Sequence, residues 1–136
     1  MDYAMISTAH PTASWFLLLG SVFFLVFFAG PIFVAPLRWA RVLKWSFPED
    51  TDLTVYFGRC LGAAALAIVC VVFRAAPAPE NHPLVFELII LTGASMTVVH
   101  VWGALRRAQP WTEDAEIIMY AGITALAWWV QQGVFR

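Results

Sequence analysis

The sequence predicts an all-α integral membrane protein, an antiparallel bundle of four transmembrane helices. Four long apolar segments occupy most of the 136 residues, and each has roughly the 20 residues that a helix needs to cross a bilayer. Hydrophobic residues make up 61% of the chain and charged residues only 12%, unlike a soluble domain of this size. We therefore expect a single domain over residues 1–136, with spans at about 14–37, 53–73, 84–105 and 112–134.

The first span contains Pro31 and Pro36. Proline removes a backbone donor inside a helix, so these residues predict a kinked first helix. Arg38, Arg41 and Lys44 follow at three-residue spacing with apolar residues between them. This pattern indicates a segment that bends onto the membrane surface, with its cations near anionic headgroups. The same cations are equally explained as ordinary determinants of topology.

The second span carries Gly58 and Gly62, a spacing that lets two helices approach closely. We expect it to serve packing within the chain. Cys60 and Cys70 lie ten residues apart on the same helix. That separation is about 15 Å of rise, too far for a disulfide, so both are interpreted as small packing residues.

The third and fourth spans each have a face that is typical of a bundle interior. In the third span, Gly93, Thr97 and His100 form a narrow face of small or polar side chains. In the fourth span, Glu116 and Tyr120 lie along one face because they are four residues apart. The acidic residues at its start complement the positive end of the helix dipole.

The basic residues predict the orientation. Five lie in the first and third connections and two on the opposite side, which places those connections in the cytoplasm and both termini outside, in a bacterial-type inner membrane. The net charge of −1 argues against a nucleic-acid partner. The expected partners are the lipid bilayer and helices of other membrane proteins.

Three polar residues share one depth on three different spans. Arg59, His100 and Glu116 each lie about six residues, or roughly 9 Å, from the cytoplasmic end. Because a buried arginine needs a counter-charge, we expect an Arg59–Glu116 pair with His100 close by. Tyr56 and Tyr120 are expected to flank this layer. The alternative is a structural lock without chemistry, in which Arg59 snorkels to the interface.

Several motifs are absent from the chain. It has no Cys-x-x-Cys, no His-Glu-x-x-His and no ligand cluster at metal-binding spacing, so we predict no metal site. The run from His100 to Gly103, followed by arginines, resembles the haem-ligating helix of succinate dehydrogenase membrane anchors. The resemblance implies His100 as a haem ligand. A partner chain would then supply the second ligand, because His10 and His82 lie in the tail and a loop.

These observations leave three hypotheses for function, and they do not decide whether the protein is an enzyme. The leading one is a non-enzymatic accessory or assembly subunit that packs against helices of a larger membrane complex. The second is an enzyme or binder for a quinone, isoprenoid or lipid, in which His100 is the acid/base, Glu116 its partner and Arg59 a clamp for an anion or carbonyl. The third is an electron-transfer anchor that binds haem or quinone.

Overall fold

The computed structural model describes residues 5–136, and over that range the chain is helical and contains no strand. Its helices are α1 (Pro11–Phe24), α2 (Gly30–Val34), α3 (Pro36–Val42), α4 (Asp52–Ala75), α5 (Pro83–Leu105) and α6 (Trp111–Phe135). A π-helical turn joins α1 to α2, and a 3-10 turn over Pro79–Asn81 precedes α5. Long helical stretches thus lie at all four predicted positions.

Three of these stretches are long and apolar enough to cross a membrane: Pro11–Val34, Asp52–Ala75 and Pro83–Leu105. The fourth, α6, has the necessary length of 25 residues. It differs from the other three because Glu113, Asp114 and Glu116 lie in its first two turns. The crossing of a membrane by α6 remains a prediction.

The first helical stretch changes geometry just before Pro31 and ends before Pro36. Pro31 has no N–H to donate to the carbonyl of Phe27, four residues earlier. The chain forms its π-helical turn over Leu25–Ala29, and the indole N–H of Trp39 donates to that Phe27 carbonyl at 2.8 Å. Ala35, directly before Pro36, has φ −142° and ψ 62° and separates α2 from α3. Steric conflict with the following proline ring disfavours helical geometry at such a position.

The helices form two antiparallel hairpins. In the first, α4 packs along α1 and α2, with Ala29, Ala65 and Val69 buried between them. In the second, α5 packs along α6, where Gly93 lies against Tyr120 and Thr124. In each hairpin, two residues that lie equally far from the turn, one on each helix, are therefore opposite one another.

The two hairpins are joined at both ends. At one end Leu17 of α1 and Phe86 of α5 are fully buried in a shared apolar cluster. At the other end the hydroxyl of Thr112 donates to the carbonyl of Leu43, just after α3. The second junction holds the start of α6 against the first hairpin, and the polar side chains described next lie beside it.

The turn between α5 and α6 is closed by a left-handed residue. Arg107 has φ 51°, and the N–H groups of Arg107 and Ala108 donate to Ala104 and Gly103. This is the hydrogen-bond pattern of a Schellman cap. The side chain of Gln109 then folds back over Gly103, where a Cβ would meet it. Its amide donates to the His100 carbonyl at 2.9 Å. The connection between the two helices therefore holds the first helical turn of α6 close to His100.

Candidate functional site

His100 lies five residues before the end of α5 and is only 4% exposed. Its Nδ1 is 2.7 Å from the carbonyl of Met96, one turn earlier. Because a carbonyl can only accept a hydrogen bond, Nδ1 carries a proton and donates it. That contact sets the plane of the ring and directs Nε2 towards α6.

Two carboxylates of α6 meet this nitrogen. Glu113 Oε2 is 3.0 Å from His100 Nε2, and Glu116 Oε2 is 3.5 Å from it. The glutamates are three residues apart and so share one face of α6. They are 6% and 9% exposed. The other oxygen of Glu113 accepts a 2.7 Å hydrogen bond from the indole of Trp45.

Tyr120 covers the side of the cluster that faces the middle of the helices. It lies one turn beyond Glu116, is buried, and its ring centroid is 5.1 Å from that of His100. The tyrosine ring therefore separates the polar cluster from the apolar part of the α5–α6 hairpin. We call His100, Glu113 and Glu116 the His–Glu cluster.

The His–Glu cluster can hold a positive charge. Nε2 of His100 faces two carboxylates, and such contacts are stable only when a proton or a cation lies between the groups. Within residues 5–136, no lysine or arginine forms an ion pair with either glutamate. One ligand atom from each of the three residues lies within 4.8 Å of the others, a separation at which one ion could contact all three.

The structure corrects the expected Arg59–Glu116 pair. Arg59 is exposed on α4 and forms no ion pair with any of the residues described. Tyr56, one turn before it, is 63% exposed. Of the five residues proposed from the sequence, His100, Glu116 and Tyr120 are brought together, and Arg59 and Tyr56 lie on a different surface. The clamp assigned to Arg59 therefore has no counterpart beside His100.

Glu113 is the site residue that was not among the candidates from the sequence, where the acidic residues at the start of α6 were assigned to the helix dipole. Its proximity to His100 depends on the compact turn that the Gln109 side chain stabilises. The sequence did hold one indication, since Glu113, Glu116 and Tyr120 recur at spacings of three and four on a single helical face.

The geometry bears on the haem hypothesis as well. Nε2 of His100 is occupied by the two carboxylates, and Nδ1 is bonded to the backbone. His10 and His82 precede α1 and α5 respectively, and His82 is separated from His100 by about 27 Å of helix. Neither can provide a second axial ligand beside His100.

Comparison with protein-family models, with curated proteins and with solved structures finds no match. Over residues 5–136 the chain is helical, with three helices long and apolar enough to cross a membrane and a buried histidine–carboxylate cluster beside the turn of the second hairpin.

We expect Trp45→Phe to destabilise the protein by about 1–2 kcal/mol, because it removes the donor to a buried carboxylate and loosens the junction between the hairpins. Trp111→Phe is the matched control, since Trp111 is 71% exposed and begins the same helix that bears Glu113. Thermal unfolding of both variants in detergent measures the difference. Equal stabilities would contradict a tethering role for Trp45.

Proposed function

We propose that the chain is a multi-pass protein of a bacterial-type inner membrane and acts as a non-enzymatic accessory subunit. Its partner would be an apolar transmembrane helix of a larger membrane complex. The observation that carries this proposal is a shallow, open apolar groove between α5 and α6. It is lined by Ile90, Ala94, Thr97, Ala121, Thr124, Ala125 and Trp128.

The groove is apolar although it contains two threonines. The hydroxyl of Thr97 donates to the carbonyl of Gly93, and that of Thr124 donates to the carbonyl of Tyr120, both at 2.8 Å. Each hydroxyl is thus satisfied within its own helix. Neither hydroxyl therefore requires a polar group of a ligand as its partner. This arrangement favours an apolar contact surface over a catalytic pocket.

The small side chains in the groove favour a helix as its occupant. Ala94, Ala121 and Ala125 are exposed, and alanine allows the backbone of a neighbouring helix to approach closely. Without a hydrophobic force between helices in lipid, such close packing is what drives their association. A lipid chain does not require a surface of small residues, so we assign the groove to a helix.

The proposal includes a fourth crossing of the membrane by α6. After Glu116 its residues are uncharged to Phe135, a length of about 28 Å that nearly matches the hydrocarbon core. Because α6 packs along α5 in an antiparallel hairpin, an α5 that spans the bilayer carries α6 with it. The excess of basic residues in the first and third connections then supports termini on the non-cytoplasmic side.

The test compares the native mass of variants extracted from the membrane in mild detergent. We expect the 15.2 kDa chain to migrate in a larger assembly with a second protein in fixed ratio. The double change Ala121→Leu and Ala125→Leu fills the groove and should release the second protein from the assembly. The matched control is Ala63→Leu with Ala67→Leu, the same spacing on an exposed face of α4.

Two outcomes would contradict the accessory role. One is a wild-type chain that runs alone or only with copies of itself. The other is an assembly that both double variants leave intact, or that both disrupt equally.

A further inference from the structure

The His–Glu cluster has more negative charge than its surroundings balance. Glu113 and Glu116 are 6% and 9% exposed, and among residues 5–136 the one group of opposite potential charge that contacts them is His100. Burying a carboxylate without a compensating charge is costly, and more so within a membrane protein. A cation bound between the three side chains would neutralise this excess.

The distances in the cluster match the edges of a metal coordination shell. Zinc lies about 2.1 Å from histidine nitrogen and from carboxylate oxygen. Two such ligands are about 3.0 Å apart at an angle of 90° and about 3.4 Å apart at the tetrahedral angle. The separations from Nε2 to Glu113 and to Glu116 are 3.0 and 3.5 Å. The ligand oxygens of the two glutamates lie within 4.8 Å of one another, so a bound ion would draw the two carboxylates closer together.

The outer contacts are also those of a metal site. A histidine that binds a metal through one nitrogen usually donates the other N–H to a carbonyl or carboxylate, which fixes the ring. The contact from Nδ1 to Met96 has this form. Ligating carboxylates are likewise held by an outer hydrogen bond, and the Trp45 indole provides one to Glu113.

We propose that His100, Glu113 and Glu116 bind one divalent first-row transition metal ion, such as Zn²⁺, Co²⁺ or Mn²⁺. One imidazole with two carboxylates suits these ions. Calcium and magnesium prefer sets made wholly of oxygen ligands, and Cu(I) prefers sulfur. The inference does not depend on the accessory role, because the groove and the cluster involve different side chains.

The test is titration of detergent-purified, chelator-stripped full-length protein with Co²⁺ and then Zn²⁺. We expect one Co²⁺ per chain, with visible absorption that Zn²⁺ displaces. Glu113→Gln and Glu116→Gln keep the side-chain shape and remove a charged ligand. Each should weaken binding by at least the roughly 10–100-fold that loss of an outer-shell partner causes.

The matched controls are Glu87→Gln, which removes an exposed carboxylate from α5, and His82→Ala, which removes an exposed imidazole at the N-terminal boundary of α5. Both should bind Co²⁺ as the wild type does. Thermal unfolding with and without saturating Zn²⁺ gives a second measurement. Ligand binding to the folded state raises the melting temperature, so Zn²⁺ should stabilise the wild type and both controls and should stabilise Glu116→Gln less.

Failure of the wild type to bind either ion would overturn the proposal and leave a cluster that shares protons. Binding of equal affinity and stoichiometry in the wild type and in both glutamine variants would overturn it as well, because the ion would then bind elsewhere. A loss of assembly in the groove variants with metal binding intact would concern the accessory role alone.

Discussion

His100→Ala is expected to lower the free energy of unfolding of the metal-free protein by about 3–5 kcal/mol. The change removes the imidazole that contacts both Glu113 and Glu116, which are 6% and 9% exposed. Glu113 then keeps the Trp45 indole as a hydrogen-bond donor, and Glu116 keeps no such donor among the residues described. Removing one partner from a buried polar contact is costly, because the groups left behind lose a hydrogen-bond partner that water does not replace. The loss is measured by titrating the detergent-solubilised protein with a denaturant and following its helix content by circular dichroism.

Neutralising Glu113 and Glu116 in the His100→Ala variant is expected to restore stability. Adding Glu113→Gln and Glu116→Gln to His100→Ala removes both uncompensated charges and keeps side chains of the same size. The triple variant should therefore be more stable than His100→Ala alone, a non-additivity typical of residues in one network. Glu87→Gln should be neutral, because Glu87 is exposed on the same helix. A triple variant less stable than the single one would mean that the glutamates stabilise the fold independently of His100.

The positions of the helices were predictable because hydropathy and proline act locally. The structure begins and ends α4 and α5 within about two residues of the predicted spans, a normal uncertainty for helix ends. The break before Pro36 follows from the steric restriction that proline places on Ala35. The π-helical turn over Leu25–Ala29 was not predicted, and neither was the hydrogen bond that the Phe27 carbonyl in this turn accepts from Trp39, twelve residues later.

The site was predictable only where depth and helical face agreed. Depth along a helix follows from counting residues, and it correctly placed His100 and Glu116 at one level. Rotation about the helix axis is decided by packing. In α4, packing is set by Gly58 and Gly62, which contact Pro36 and Phe33. Arg59 is one residue beyond Gly58 and so points about 100° away from that contact.

Predicting the position of Glu113 beside His100 would have required the geometry of the turn between α5 and α6. Equal distance from a turn places residues of a hairpin opposite one another, but the length of turn between α5 and α6 is set by the left-handed Arg107 and by Gln109. Pro110 marks the turn in the sequence, but neither Arg107 nor Gln109 is a residue type that indicates its length or geometry. The three-and-four spacing on α6 did identify the correct face of that helix.

Gly62→Ala is expected to destabilise the first hairpin by about 1–3 kcal/mol, the usual cost of overpacking, or more. A Cβ at this position would lie 2.5 Å from the backbone nitrogen of Phe33 and 2.6 Å from its Cα. These are main-chain atoms of α2 and cannot rotate away as the end of a side chain can. The helices would have to separate, and the Ala65 and Val69 contacts with Ala29 would loosen with them.

Gly122→Ala is the matched control, because a Cβ there meets nothing within 4 Å and the residue is also within a long helix. Alanine is a better helix former than glycine by about 1 kcal/mol, so this control should be neutral or slightly stabilising. The intrinsic preference is the same at both positions, and the difference between the two variants therefore measures the close approach of α4 to α2. If Gly62→Ala were as stable as Gly122→Ala, α4 would not lie against the Phe33 backbone, and the packing that turns Arg59 away from His100 would be wrong with it.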